Sequence, residues 1–154
     1  MTDAVKKELG TADILRILEL LPHRYPFQMI DKIIYLDDNS VVGVKNVTMN
    51  ENYFMGHFPN NPVMPGVMQV EAMAQTGGIL VLSSVEDPEN YWPYLVGIEN
   101  CRFRRSVIPG DTIIFKCELQ APIRRGIAKM TGKAYVAGVV VCEAEMTASL
   151  VRKS

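Results

Sequence analysis

The stretch PGVMQVEAMAQTGGILVLSSV, residues 65–85, decides the fold. It is mostly apolar, its only charged residue is Glu71, and no proline interrupts it until Pro88. Because proline is tolerated in the first turn of a helix, the stretch predicts a long buried helix beginning at about Pro65-Gly66. Its glutamines, serines and glutamate make it too polar to span a membrane. The Gly77-Gly78 pair costs roughly 1–2 kcal/mol of helix propensity, so another element is expected to approach closely there.

The sequence on both sides of this helix has the pattern of strands. Residues 112–120, 127–136 and 139–150 alternate apolar and polar side chains, which is typical of a sheet with one buried face. Two earlier strands are predicted near 28–36 and 40–49, joined by a hairpin at Asp37-Asp38-Asn39.

A short amphipathic helix precedes them; we expect Thr11 to cap it and Pro22 to end it. No linker or repeat divides the chain. The sequence therefore predicts one α+β domain over residues 1–154, with a curled antiparallel sheet of about six strands around the long central helix.

Composition excludes several classes of protein. The 154 residues are 48% hydrophobic and carry a net charge of −1, which argues against a disordered chain and against a nucleic-acid coat. Cys101, Cys117 and Cys142 lack the spacing of metal ligands, so free thiols and no metal site are expected. The N-terminal MTDAVKKELG has no apolar signal core, which predicts a cytoplasmic location.

Glu71 is the most informative residue for function. It is the only acidic or basic side chain between Glu51 and Glu86, apart from His57, and it lies within the apolar helix. Burying a lone carboxylate is costly unless it is paired, hydrogen-bonded or protonated, so Glu71 is a candidate acid or base. Gln75, four residues later, is placed to hydrogen-bond and orient it. The alternative is that Glu71 lies on a solvated edge of the helix.

His57 and Gly66 are the other candidate residues of the site. Histidine is the usual proton shuttle near neutral pH, although a single loop histidine is more often structural. The free backbone N–H groups at Gly66, at the start of the helix, can receive a developing oxyanion, and glycine lets a substrate approach them. We interpret His23, the other histidine, as structural.

Three segments carry a family resemblance: LPHRYPFQMIDKI (21–33), KNVTMNENYFMGHFPNNPVMPGVMQVEAMAQTGG (45–78) and GIENCRFRRSVIPGD (97–111). They resemble the FabZ-type (3R)-hydroxyacyl-acyl carrier protein dehydratases, and the match runs in order from residue 15 to 150. The chain departs from many members at Asn60-Asn61, where they have Gly-His. Some members are fused to a lipid A deacetylase.

The resemblance implies a hot-dog fold that dimerises, commonly as a trimer of dimers. It implies that His57 and a partner subunit's Glu71 form the catalytic dyad, with the Gly66 N–H on the thioester carbonyl. Tyr94 aligns with the tyrosine that gates the acyl tunnel in some relatives, and we expect Phe54 and Phe58, beside His57, to line that tunnel.

The implied reaction is the dehydration of (3R)-hydroxyacyl-acyl carrier protein to the trans-2-enoyl product in fatty acid biosynthesis. It needs a base, an acid and an oxyanion donor, and no cofactor is expected. Two alternatives stay open: a hot-dog thioesterase, in which the helix carboxylate activates water, and a non-catalytic module that binds acyl groups or carrier protein.

The implied partner is an acidic acyl carrier protein, and the charge distribution fits it. Residues 102–133 contain eight basic and two acidic residues, whereas residues 1–101 contain six and thirteen. Guanidinium groups suit carboxylate and phosphate recognition. We expect the arginines of this basic segment to dock the carrier protein: Arg102, Arg104, Arg105, Arg124 and Arg125. A solvated sheet face is the alternative for this segment.

Overall fold

The computed structural model describes residues 10–154 and contains two α-helices and six strands. The predicted domain includes residues 1–9, and so does the N-terminal segment predicted to lack a signal core; these residues lie outside the described residues. Helix α1 spans Ile14–Leu20 and α2 spans Gly66–Leu82. The strands are β1 (Lys32–Leu36), β2 (Ser40–Asn46), β3 (Tyr91–Phe103), β4 (Thr112–Leu119), β5 (Ile127–Val136) and β6 (Val139–Arg152). Short 3₁₀ helices occupy Asn52–Met55 and Pro88–Asn90.

The six strands form one antiparallel sheet in the order β1-β2-β4-β5-β6-β3. Helix α2 contacts five of these strands, β2 to β6, so the sheet curls around it. Strand β4 follows the predicted alternation: Ile113, Phe115 and Cys117 are fully buried, while the residues between them face outward. The predicted α+β architecture, a long central helix wrapped by a curled sheet, is confirmed.

The glycines of α2 and of the sheet mark where the helix and the strands approach most closely. A Cβ added at Gly77 would collide with Met130 of β5, as the sequence predicted for this glycine pair. A Cβ at Gly43 of β2 would lie 2.8 Å from the side chain of Thr76 in α2. Contacts this short are below van der Waals separation, so the absent side chains let α2 pack tightly in the sheet.

The two edges of the sheet differ. The outer edge of β1 is covered, because Ala12 and Ile33 exchange two backbone hydrogen bonds of 2.9 Å. Strand β3 pairs only with β6 among the described residues, and its other edge carries exposed Trp92, Val96 and Ile98. A long apolar edge strand is a template for pairing with another strand.

Several predicted boundaries change. Asp13, not Thr11, caps α1, its side chain accepting from the Arg16 N–H at 3.0 Å. The bridge at Ala12 keeps the chain extended there, so the helix starts at Ile14 and ends at Leu20, before Pro22. Strand β1 begins at Lys32 because the Met29 N–H is bonded to the Gln75 side chain rather than to a strand.

The loop between β2 and α2, which carries His57, contains the first 3₁₀ helix. Among residues 10–154, no helix combines the length and the apolar character needed to cross a membrane.

Candidate active site

The imidazole of His57 is held in one orientation by the backbone. Its Nδ1 lies 2.6 Å from the carbonyl oxygen of Val63, while the His57 N–H donates to the Tyr53 carbonyl at 3.0 Å. Because a carbonyl oxygen only accepts, Nδ1 donates this hydrogen bond, and in the neutral imidazole Nε2 keeps its lone pair. His57 is thereby prepared to act as a base through Nε2, and Val63 is the part of this arrangement that the sequence did not reveal.

The start of α2 lies in the same cavity as His57. This cavity, of about 550 Å³, is lined by His57, Gly66 and Val67 and also by Phe103 and Arg105. The first N–H groups of a helix lack intrahelical partners and carry partial positive charge. A Cβ added at Gly66 would lie 2.7 Å from the Phe103 ring, so glycine is required for this ring to pack over the helix start. Sequence reasoning missed Phe103.

Glu71 projects from α2 into a different cavity, and Gln75 orients it. The Gln75 side-chain amide donates to Glu71 Oε1 at 2.8 Å and to the Phe27 carbonyl at 2.8 Å, while its own oxygen accepts from the Met29 N–H at 2.9 Å. The hydrogen bond predicted from the four-residue spacing is present. The backbone of residues 27–29 fixes Gln75, and Gln75 in turn fixes the carboxyl group.

The cavity at Glu71 has a volume of about 200 Å³ and is mainly apolar. Tyr94 lines it, as does His23, whose Nε2 lies 3.7 Å from Glu71 Oε1. Burial lowers the pKa of His23, although the nearby Glu71 opposes that shift. The sequence analysis interpreted His23 as structural and did not predict this contact. The only indication in the sequence was that His23 lies in segment 21–33, which carries the family resemblance.

Within one chain, His57 and Glu71 are not brought together. The two cavities share no lining residue: His57 and Gly66 line one, Glu71 and Tyr94 the other. A single copy thus holds the His57 imidazole and the start of α2 in one place and the oriented Glu71 carboxyl group in another.

The two phenylalanines predicted to line the tunnel take different positions. Phe58 is exposed and stacks on His57 with ring centroids 4.0 Å apart. Phe54 packs in the core against Tyr53. Neither phenylalanine lines the His57 cavity or the Glu71 cavity, so the prediction that they do is wrong for this single chain.

The five predicted docking arginines form two separate groups, both exposed. Arg102, Arg104 and Arg105 lie at the end of β3, and Arg104 and Arg105 line the His57 cavity. Arg104 pairs with Glu143 at 2.9 Å, and this contact lowers the pKa of Glu143. Arg124 and Arg125 lie in the turn between β4 and β5.

The curled sheet around a central helix defines a hot-dog protein. The chain belongs to the FabA-like domain family, whose model matches residues 21–145. The resemblance to the FabZ-type dehydratases is confirmed by curated relatives of that name. The chain is 54% identical over 146 residues to the 3-hydroxyacyl-[acyl-carrier-protein] dehydratase FabZ of Solibacter usitatus, covering 94% of this chain and 89% of that protein. It is 47% identical over 154 residues to that of Rhizobium etli, covering 99% and 98%.

Other relatives are longer. The chain is 58% identical over 140 residues to the bifunctional enzyme LpxC/FabZ of Bacteroides thetaiotaomicron, covering 91% of this chain but spanning only 30% of that protein. Among solved structures, the dehydratase heterocomplex ApeI:P of Xenorhabdus doucetiae matches with a TM-score of 0.75 at 19% identity, covering 89% of this chain and 91% of that one. This structural likeness supports the fold.

Proposed function

We propose that this chain dehydrates (3R)-hydroxyacyl-acyl carrier protein to the trans-2-enoyl thioester, as a cytoplasmic enzyme of fatty acid biosynthesis. The names of its full-length relatives support the reaction. The observation that carries the proposal is the Nδ1 contact of His57 with the Val63 carbonyl. It leaves Nε2 free as a base in the cavity where the N-terminus of α2 is exposed.

The base and the oxyanion donor act on the thioester together. His57 Nε2 removes the proton from the α-carbon, and the Gly66 N–H stabilises the negative charge that develops on the thioester oxygen. The thioester itself acidifies the α-carbon, so the chemistry proposed here uses no cofactor. A positioned acid or base typically contributes 10²–10⁴-fold to the rate.

Glu71 is the acid that completes the reaction. Its protonated carboxyl donates to the departing 3-hydroxyl, so the carbon–oxygen bond breaks, water leaves and the carbon–carbon double bond forms. The proton gained by His57 then returns to Glu71 through solvent. This carboxyl group faces a cavity whose wall is mainly apolar.

The two halves of the site meet between two copies of the chain. Antiparallel pairing of the exposed β3 edges would bury Trp92, Val96 and Ile98 in a homodimer with two-fold symmetry. Two-fold symmetry then lets each subunit supply Glu71 to the His57 of the other. The resemblance further suggests that three such dimers assemble.

The experiment that tests this function is incubation with 3-hydroxyacyl-acyl carrier protein, followed by enoyl absorbance and by titration of free thiol. Enoyl formation without thiol release supports the dehydratase. Thiol release without enoyl product would identify a thioesterase, and saturable binding with neither product would identify a binding module.

A further inference from the structure

A buried ion pair lies outside the proposed chemistry, close in sequence to the His57 loop. Lys45 faces inward from β2 and is 4% exposed, and its Nζ lies 2.5 Å from Glu51 Oε1. Strand β2 alternates buried and half-buried residues, and Lys45 occupies an inward position like Val41 and Gly43. An amine at such a position must shed its water, which is costly unless its partner is well placed.

Glu51 connects this pair to the catalytic histidine. It is the residue that precedes the Asn52–Met55 3₁₀ helix, but its side chain makes no capping bond and turns to Lys45 instead. The Glu51 carbonyl accepts from the Phe54 N–H at 3.2 Å, and the Tyr53 carbonyl accepts from the His57 N–H at 3.0 Å. A short covalent and hydrogen-bonded path therefore runs from Lys45 to the backbone of His57.

Other polar atoms beside the ion pair are also buried. Among the described residues, the Glu51 Oε2 and the Tyr53 hydroxyl are buried without a hydrogen-bond partner. Burial, with the carboxylate of Glu51 adding to it, raises the pKa of Tyr53, so the phenol stays neutral. Phe54 packs its ring edge-on against Tyr53 with centroids 4.6 Å apart. The side chains that hold the 3₁₀ helix are thus those of the ion pair and the packed rings of Tyr53 and Phe54.

The stability of the fold does not by itself explain why a buried ion pair occupies this position. Replacing both members of a buried ion pair by neutral groups of similar volume is often neutral or stabilising for the fold. The lysine in β2 and the glutamate before the 3₁₀ helix fix one loop against the sheet, and that loop carries His57.

We propose that Lys45 and Glu51 are positioning residues for His57: their ion pair fixes the 3₁₀ helix whose Tyr53 carbonyl holds the His57 backbone. The inference rests on the proposed dehydratase function for its kinetic consequence. A displacement of about 1 Å at a reacting group costs up to about 10²-fold in rate. Losing the pair should therefore lower kcat and leave KM nearly unchanged, because neither residue lines the His57 or the Glu71 cavity.

The test uses the full chain, without a histidine tag, carrying Lys45→Met together with Glu51→Gln. The matched control makes the same two changes at Lys116 and Glu118, a pair with both side chains about half exposed. The single variant Lys45→Met is measured in parallel, to separate the loss of the lysine from the loss of the whole pair. Melting temperature and oligomeric state are recorded for each variant.

Two readouts separate positioning from folding. Dehydration kinetics report kcat and KM, and ¹⁵N-labelled histidine spectra report the two imidazoles, with His23 as the internal reference. We expect kcat to fall about 10- to 100-fold in the folded variants, KM to change less than about threefold, and the His57 signals to move while those of His23 stay. The Lys116/Glu118 control should match the wild type.

Wild-type kcat with unmoved His57 signals in a folded Lys45 variant would overturn the proposal. Equal shifts of both histidines, or a lower kcat that merely tracks lost folded protein, would also overturn it, because they indicate a structural role. An inactive wild type would instead refute the dehydratase function, while the imidazole signals would still test the positioning.

Discussion

Replacing Gln75 with leucine perturbs both the fold and the proposed acid. Leucine has a similar volume, but it cannot make the three hydrogen bonds of the buried Gln75 amide. The Gln75 N–H groups no longer donate to Glu71 and to the Phe27 carbonyl, and the Gln75 oxygen no longer accepts from the Met29 N–H. The two backbone groups are then left without partners. Only the Met29 N–H is fully buried, and at roughly 1–3 kcal/mol for an unsatisfied buried group the free energy of unfolding should fall by about 1–3 kcal/mol. For a chain of this size, that lowers Tm by at least about 2 °C.

The same substitution should also reduce turnover, because the Glu71 carboxyl loses the donor that orients it. We expect kcat to fall about 10- to 100-fold in protein that is still folded at the assay temperature, measured by enoyl absorbance. Gln69→Leu is the matched control for stability: Gln69 is equally buried in α2 but makes a single hydrogen bond of 3.5 Å, and its amide oxygen has no partner among the described residues. The reasoning is refuted if Gln75→Leu and Gln69→Leu shift Tm equally, or if Gln75→Leu keeps the wild-type kcat.

Three further outcomes follow from the site. Gly66→Ala should lower kcat/KM about 10²-fold, because the alanine methyl group would lie 2.7 Å from the Phe103 ring, beside the N–H proposed to bind the oxyanion. Wild-type kinetics in this variant would exclude the start of α2 as the oxyanion donor. Arg105→Glu should raise KM for carrier-bound substrate but not for a coenzyme A thioester, whereas the exposed control Lys129→Glu should change neither; an equal effect on both substrates would argue against docking there. Because the pKa of His23 lies below 6.5 in the folded chain, the unfolded chain binds more protons just below pH 6.5, so stability should fall as pH drops through this window. In urea unfolding experiments across this window, the free energy of unfolding should decrease less steeply with falling pH in His23→Gln than in the wild type. The same pH dependence in both proteins would contradict this.

The fold was predictable where local pattern and tertiary structure agree. The alternation in residues 112–150 predicted β4, β5 and β6, and the uninterrupted stretch after Pro65 predicted α2 to within a residue of its start. The wrongly predicted boundaries lie where a contact between residues far apart in sequence determines where an element begins. The start of β1 depends on Gln75, 46 residues from Met29, and the cap of α1 depends on the bridge between Ala12 and Ile33.

The site was predictable as residue types but not as an arrangement. The isolated charge of Glu71 and the spacing to Gln75 are visible in the sequence, and the hydrogen bond between them is present. The orientation of His57 by the Val63 carbonyl, the Phe103 ring over Gly66 and the place of His23 beside Glu71 depend on chain segments meeting in space. The periodicity of apolar residues in the sequence carries no information about these tertiary contacts.

The central claim is that each active site takes His57 from one copy of the chain and Glu71 from another. The variants His57→Ala and Glu71→Gln should each be folded and lose at least about 10²-fold in activity. After subunit exchange, isolated mixed dimers should regain one working site of two, because two-fold symmetry puts both intact residues in one site and neither in the other. Recovery of about half the wild-type activity is the predicted result. No recovery in mixed dimers of demonstrated composition would contradict the account.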